Sequence, residues 1–377
     1  MRNNLPQTNL ILFPLSILYR IGVNFRNWMF DAGILKSKKY DLPVISIGNI
    51  TVGGTGKTPH TEYLLSLLSP FMKVAMLSRG YKRKTKGFVL ADKKSNSQTI
   101  GDEPFQIKKK FKDVVVAVDG DRCRGIESLL SGVHGKELGA IVLDDAYQHR
   151  YVEPGINILL TDFNRLITED SLLPAGRLRE PASNKKRANI VIVTKCPDTL
   201  KPIDIRVLSK DLNLLPYQHL YFTKYIYADF VPVFNETKGN KVTKDLLLKE
   251  AYDILLVTGI VSQNDLALRL MKYANQLKSI EYPDHHDFTQ KDLQEIETQF
   301  LSMENKNKII ITTEKDASRL MSNPNVSDVV KKSLFYIPIK VKFLFGEDKD
   351  FNEQILGYVR KNKTNSRLFK KEVAGHS

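Results

Sequence analysis

Val44-Ile45-Ser46-Ile47-Gly48-Asn49-Ile50-Thr51-Val52-Gly53-Gly54-Thr55-Gly56-Lys57-Thr58-Pro59 is the stretch from which the fold is read. An apolar, β-branched run enters a glycine-rich turn, and the turn closes on Gly-Lys-Thr before a helical pattern with Tyr63, Leu64, Leu67 and Leu68 on one side. Strand, loop and helix start in that order make a phosphate-gripping P-loop. Glycines let backbone N–H groups converge on an anion, and the helix N-terminus adds its partial positive charge. Lys57 can reach β/γ oxygens and Thr58 can offer its hydroxyl to Mg²⁺. Thr51 stands where the generic G-x-x-x-x-G-K-[ST] pattern has its first glycine, with Gly48 and Gly53-Gly54 giving freedom on either side. Thr51, Val52, Gly53, Gly54, Thr55, Gly56, Lys57 and Thr58 are therefore the expected nucleotide-binding set. A tight strand–helix connection would explain the glycines but not Lys-Thr at their end.

Outward from this loop, apolar runs repeatedly end in polar residues, as strands of a parallel sheet do where ligands bind. Lys73-Val74-Ala75-Met76-Leu77 delivers Ser78-Arg79-Gly80-Tyr81-Lys82-Arg83, a basic run suited to phosphate or lipid head groups or simply to solvent. In Ile100-Gly101-Asp102-Glu103-Pro104 two carboxylates precede a helical run. An acid there ordinarily caps the helix; it could also accept the proton of an attacking hydroxyl while its neighbour assists a metal. Val114 to Val118 leads to Asp119-Gly120-Asp121-Arg122-Cys123-Arg124, where Arg122 or Arg124 could stabilise a transferring phosphoryl group or pair with the aspartates. Leu138 to Asp145 has the form of a Walker B strand, apolar residues running into acids that orient Mg²⁺. Gln148 and His149 follow, the lone histidine read as structural.

Ile156 to Asp162 and Ile190 to Thr194 are two more buried strands, separated by the proline-bracketed loop Leu173 to Pro181. The expected fold class is α/β, a P-loop NTPase-like core whose parallel sheet is flanked by helices. Beyond Pro202 the pattern changes. Leu220 to Tyr227 and Ser333 to Phe343 read as paired strands joining a smaller α/β second domain, which contains Pro283-Asp284-His285-His286 and the strand Lys308 to Thr313. The expected boundaries are residues 1–30, 31–215, 216–350 and a basic tail at 351–377.

The chain has 377 residues, with 57 Lys and Arg against 42 Asp and Glu, a balance that attracts anionic partners. Nucleic acid is not expected, because no interleaved aromatic and basic motif is present. Cys123 and Cys196 give neither a disulfide framework nor zinc spacing. Leu10 to Tyr19 is too short to span a bilayer. At helical period Ser16, Arg20, Asn24 and Asn27 form a polar stripe opposite Ile17, Leu18, Ile21, Phe25, Trp28 and Met29, so this helix either packs on its own domain or lies in a membrane interface.

Taken together the motifs resemble the tetraacyldisaccharide 4′-kinase family, the lipid A pathway kinases of Gram-negative bacteria. The resemblance rests on Gly48-Asn49 through Thr58-Pro59, Ser78-Arg79-Gly80-Tyr81, Gly101-Asp102-Glu103-Pro104 and Asp144-Asp145-Ala146-Tyr147-Gln148-His149. Leu173-Pro174-Ala175-Gly176, Arg179-Glu180, Pro283-Asp284-His285-His286 and Thr313-Glu314-Lys315-Asp316 complete it. Thr51 is ordinary for this family, whereas Ala146 stands where many relatives have glycine. The resemblance implies ATP-dependent phosphorylation of the 4′-hydroxyl of a lipid A disaccharide 1-phosphate precursor on the cytoplasmic face of the inner membrane. The basic balance and the amphipathic first helix suit peripheral contact with a membrane-anchored substrate, and the chain is expected to be a monomer. It also implies roles: Asp102 as general base with His285 its partner across a domain cleft, Lys57 as phosphate grip and Arg122 as charge stabiliser. Thr58, Glu103, Asp144 and Asp145 would hold Mg²⁺, and Arg79, Gln148, Arg179 and Glu180 would contact substrate. The competing reading is a membrane-recruited P-loop ATPase switch of the partitioning and division-site type. Such switches carry a signature lysine where this chain has Val52.

Overall fold

The computed structural model describes residues 9–234, 242–259, 264–284 and 286–362. Its strands are β1 (Val44–Gly48), β2 (Lys73–Ser78), β3 (Val89–Leu90), β4 (Val115–Val118), β5 (Leu138–Asp144), β6 (Ile156–Asp162), β7 (Ile190–Thr194) and β8 (His219–Tyr227). Then come β9 (Val231–Pro232), β10 (Asp253–Thr258), β11 (Gln276–Glu281), β12 (Lys308–Thr313), β13 (Leu334–Ile337) and β14 (Ile339–Phe343). They form one sheet in the order β14-β8-β7-β6-β1-β5-β2-β4-β3 and a second in the order β11-β10-β12-β13-β9.

Every residue of β1, β5 and β7 is buried, which is what continuous Val/Ile/Leu runs require when helices cover both faces of a parallel sheet. The β1 strand pairs in parallel with β5 on one side and β6 on the other, with Ile47 opposite Asp144 and Gly48 opposite Leu159. From β1 the strand order proceeds outward in both directions, so the connections after β1 and its neighbours part at their carboxyl ends and leave a crevice there. The glycine-rich loop follows β1 at that carboxyl end.

Packing divides the chain into two units. The first takes the segments up to Lys94, Ile107–Tyr225 and those after Val341; the second takes Ser95–Gln106 and Ile226–Lys340. The crossings fall within β8 and β14, the paired strands read from sequence, within the helix Asp102–Lys110, and between Lys94 and Ser95. Ser95–Gln106 groups with the second unit although chain order sets it amid the first. The second unit carries its sheet between two apolar layers, one around Leu255, Val257 and Ile310, the other around Ile254, Leu256 and Ile311. Alternation along β10 and β12 supplies both faces.

The first helix, Phe13–Asp31, reverses the usual polarity of an amphipathic helix. Ser16 and Asn27, from its polar stripe, are buried, whereas Leu18, Ile21, Phe25 and Trp28 are 55–67% exposed. Hydrogen bonds fix the polar side: Ser16 Oγ donates to Leu172 O at 3.0 Å and accepts from Ala175 N at 2.9 Å. Tyr19 donates to Arg179 O at 2.9 Å, and Arg150 Nη1 to Asn27 O at 2.9 Å. Among the described residues no helix is long and apolar enough to cross a membrane.

Candidate active site

The loop after β1 is held by hydrogen bonds on both sides while its centre stays open. Val52 N donates to Arg177 O at 2.8 Å and Arg179 N to Ile50 O at 2.7 Å, which makes residues 177–179 a strap along the loop's entry. Asn49 Nδ2 donates to Thr55 Oγ1 at 2.6 Å, and Thr194 Oγ1 donates to Thr55 O at 2.9 Å. Between these anchors Val52, Gly53 and Gly54 are exposed. Gly56 precedes the helix Lys57–Leu68 with φ +91°, and a Cβ there would run into the Tyr225 hydroxyl. Pro59 is the third helical residue, where its missing N–H would have had no intrahelical acceptor.

His60 lies under the loop, 2% exposed. Its Nδ1 is 2.7 Å from Gly56 O and its Nε2 is 3.0 Å from Thr223 Oγ1. A carbonyl can only accept, so Nδ1 carries the proton and Nε2 accepts from the threonine. Burial lowers its pKa to about 4, keeping the ring neutral.

Acids and cations meet beside this loop. Asp144, at the end of β5, accepts Thr61 Oγ1 at 3.0 Å on one oxygen and Ser78 Oγ at 3.2 Å on the other. Each oxygen has further lone pairs, so these contacts orient the carboxylate without exhausting it. Asp145 has φ +47° and turns its carboxylate to Lys57 Nζ at 3.7 Å and Arg179 Nη2 at 3.2 Å. Burial alone would raise its pKa, but Lys57 and Arg179 hold it below the ordinary value. Arg179 also donates to Asn49 Oδ1, and Gln148 Nε2 donates to Asn49 O at 2.7 Å. Thr58 is half-buried in the helix's first turn, and its hydroxyl and the Asp144 and Asp145 carboxylates are the kind of oxygen ligand a hard cation takes.

Arg122 and Arg124 take different partners. Arg124 forms a two-point pair with Asp119, at 2.8 and 2.6 Å. Arg122 is 2% exposed and spends its guanidinium on carbonyls, Asp119 O at 2.7 Å and Asp144 O at 3.2 Å. Burial lowers its pKa to about 10, which still leaves it charged at neutral pH. Nε of Arg122 and Nε of Arg179 are buried with no acceptor among the described residues. Arg79 is exposed at the end of β2. Glu180 is buried and holds Arg187 Nη2 and Asn184 Nδ2, each at 2.7 Å, so its carboxylate serves the strap's fold.

In the second unit a different constellation surrounds Asp102. Arg319 donates to Asp102 Oδ2 through Nε at 2.8 Å and Nη2 at 2.7 Å, and to Asp316 Oδ1 through Nη1 at 2.8 Å. Asp316 is fully buried and also accepts Gly259 N at 2.9 Å and Thr313 Oγ1 at 2.7 Å. Burial pulls the Arg319 pKa down, but Asp102 and Asp316 more than offset this and raise it. Beside them Lys315 Nζ reaches Glu103 at 3.4 Å and Asp284 at 3.5 Å.

Sequence reading named Asp102 and the Thr313-Glu314-Lys315-Asp316 motif separately and missed Arg319. The available signal was its spacing of three from Asp316, which puts both on one helix face. His286 is occupied elsewhere: Nε2 is 2.8 Å from Asp292 Oδ2, and the ring stacks on Tyr282 at 4.7 Å. His285 lies outside the described residues.

A family model described as tetraacyldisaccharide-1-P 4'-kinase matches residues 8–360. A tetraacyldisaccharide 4'-kinase of Phocaeicola vulgatus is 53% identical over 366 residues, covering 97% of this chain and 99% of its own. One of Bacteroides thetaiotaomicron is 48% identical over 370 residues, 97% of each chain. Among solved structures, LpxK from Aquifex aeolicus, in complex with ATP, matches with a TM-score of 0.69 at 28% identity, covering 92% of this chain and 98% of that one.

Proposed function

The chain belongs to the tetraacyldisaccharide 4'-kinase family, and from that premise we propose that it transfers the γ-phosphoryl group of ATP to the 4′-hydroxyl of a tetraacyldisaccharide 1-phosphate in lipid A biosynthesis. One observation carries the reading: the exposed Gly53-Gly54 turn leads straight into the start of helix Lys57–Leu68, where Lys57 and Arg179 both turn toward Asp145. Exposed glycine amides, a helix start and a lysine together suit phosphate. The partitioning-type ATPase reading finds no support among the relatives.

In the proposed reaction the loop amides and Lys57 grip the β- and γ-phosphates. Thr58, Asp144 and Asp145 would hold Mg²⁺, with Glu103 a further carboxylate, and the ion when bound neutralises charge between those phosphates. Arg122, committed to two carbonyls, acts as a fixed positive charge. Asp102 accepts the proton of the attacking hydroxyl, with Arg319 positioning its carboxylate. The use of His286 by Asp292 supports His285 as the histidine that partners Asp102. Arg79 and Gln148 meet the lipid's polar head, while Arg179 and Glu180 act through the strap. Phosphoryl transfer needs alignment and charge neutralisation more than covalent help, and these residues supply both.

The outward apolar face of helix Phe13–Asp31 supports a peripheral membrane contact at the cytoplasmic face of the inner membrane, where an acylated substrate would remain anchored. Replacing Leu18 and Phe25 with Glu is expected to reduce cosedimentation with anionic vesicles several-fold. Unchanged binding would assign that face to something other than lipid. The activity itself is tested with labelled ATP and the disaccharide 1-phosphate in mixed micelles. The expected product is a doubly phosphorylated lipid; ATP hydrolysis without lipid labelling would overturn the reading in favour of a switch.

A further inference from the structure

We propose that Asp121, Cys123 and His149 form a binding site for a borderline or soft transition-metal ion, represented by Zn²⁺ and distinct from the all-oxygen Mg²⁺ set. One carboxylate oxygen, one Sγ and one ring nitrogen lie within 4.8 Å of one another. Zn²⁺ bonds of about 2.0–2.3 Å to such atoms set neighbouring ligands roughly 3.5 Å apart, so side-chain shifts of about an ångström close the triangle. Among the described residues no other set of three His, Cys, Asp or Glu side chains converges this way.

Two well-fixed backbone segments bring the ligands together. Asp121 caps the helix Arg122–Ser131, its Oδ1 accepting Cys123 N at 2.9 Å and Arg124 N at 3.3 Å. The cap pins the carboxylate over the first turn, and Cys123 stands two residues further on. His149 arrives from the turn after β5, where its N–H donates to Ala146 O at 2.8 Å. Its Nε2 receives the Arg122 N–H at a long 3.3 Å, so the ring already leans on the helix start.

The chemistry suits one class of ion. A thiolate and an imidazole favour Zn²⁺ and its neighbours over Mg²⁺ or Ca²⁺, and three protein ligands leave a position for water. The ring's acceptor nitrogen now takes only the long Arg122 N–H contact, which ligation through that atom would replace. The Cys123 thiol donates to Tyr151 O at 3.4 Å, and ligation as thiolate displaces that proton. Asp121 is exposed and Cys123 and His149 are partly so, which gives an ion a way in. Cys196, 5% exposed, is an internal control.

The test is a Co²⁺ titration of the untagged full-length protein in excess Mg²⁺. The expected result is a thiolate-to-cobalt charge-transfer band that saturates at one equivalent and is displaced by Zn²⁺. Cys123→Ser should abolish the band and Cys196→Ser leave it. His149→Ala should weaken binding by more than about 100-fold, beyond what loss of an outer-shell partner produces. Asp121→Asn keeps the helix cap while removing the charge, and should weaken binding without lowering the melting temperature. In parallel, Zn²⁺ should slow alkylation of Cys123. Absence of the band, its persistence in Cys123→Ser, or alkylation indifferent to saturating Zn²⁺ would each overturn the proposal.

Discussion

The phosphate loop and the Asp102 cluster organise charge in opposite ways. The loop draws on backbone N–H groups at exposed Gly53 and Gly54, held by hydrogen bonds on either side, so its field comes from dipoles that remain in contact with water. Asp102 instead belongs to a chain of full charges, Asp102–Arg319–Asp316, whose last two members are almost out of solvent, at 4% and 0% side-chain exposure. Dipoles can be lost singly with graded effect. A buried ion chain changes as a unit, because removing one charge leaves its neighbour uncompensated.

The sharpest way to separate the two regions is Asp102→Asn. It keeps shape and an acceptor for Arg319 while removing the proposed base, so turnover should fall by about 10²–10⁴-fold, the range for loss of general base catalysis. The dissociation constant for ATP, measured by equilibrium binding, should stay within about twofold, because the loop does not use this carboxylate. Comparable turnover in the variant would remove Asp102 from the base role.

Arg319→Ala probes the chain from its centre. It strands a fully buried Asp316 and should cost about 3–5 kcal/mol in denaturant unfolding, the range for breaking a buried pair. The loss should come with lower activity, while the tryptophan signal of Trp28, which lies in the first unit, reports a later transition. A single unshifted transition would show that Arg319 is not what holds Asp316 in place.

The same contrast explains what the sequence disclosed. The P-loop is legible because its parts are contiguous: a strand, glycines where backbone must approach an anion, then Lys57 and Thr58. The acids of β5 are legible for the same reason, an apolar run ending in charge. The Asp102–Arg319 contact spans 217 residues and follows no period, so only folding reveals that Ser95–Gln106 packs with the second unit. The first helix shows a different limit. Its two faces were evident from spacing, but not that Ser16 and Asn27 would turn inward, because the acceptors and donors they meet belong to residues 150 and 172–175. Asp121, Cys123 and His149 were individually visible, yet their convergence depends on β4 and β5 ending at the same edge of the sheet.

The smallest expected effect tests whether the loop's support is as uncharged as its surface. His60 is neutral beneath Gly56, with a folded pKa of about 4 against an ordinary 6.5. Because the folded value is the lower one, protons bind the unfolded chain first. The contribution of His60 is therefore complete above pH of about 6.5, declines as pH falls from there toward 4, and is constant below. Between pH 7 and pH 6 the loss from this one group is about 0.7 kcal/mol, rising toward about 1.4 kcal/mol per pH unit at lower pH. Urea midpoints of wild type and His60→Gln, taken at both pH values, isolate the term, since His149 shifts the same way in both proteins and cancels. The wild type should lose more on acidification than the variant. If the two decline in parallel, His60 accepts a proton without disturbing the fold, and the loop rests on a support that can carry charge, as the Asp102 cluster does.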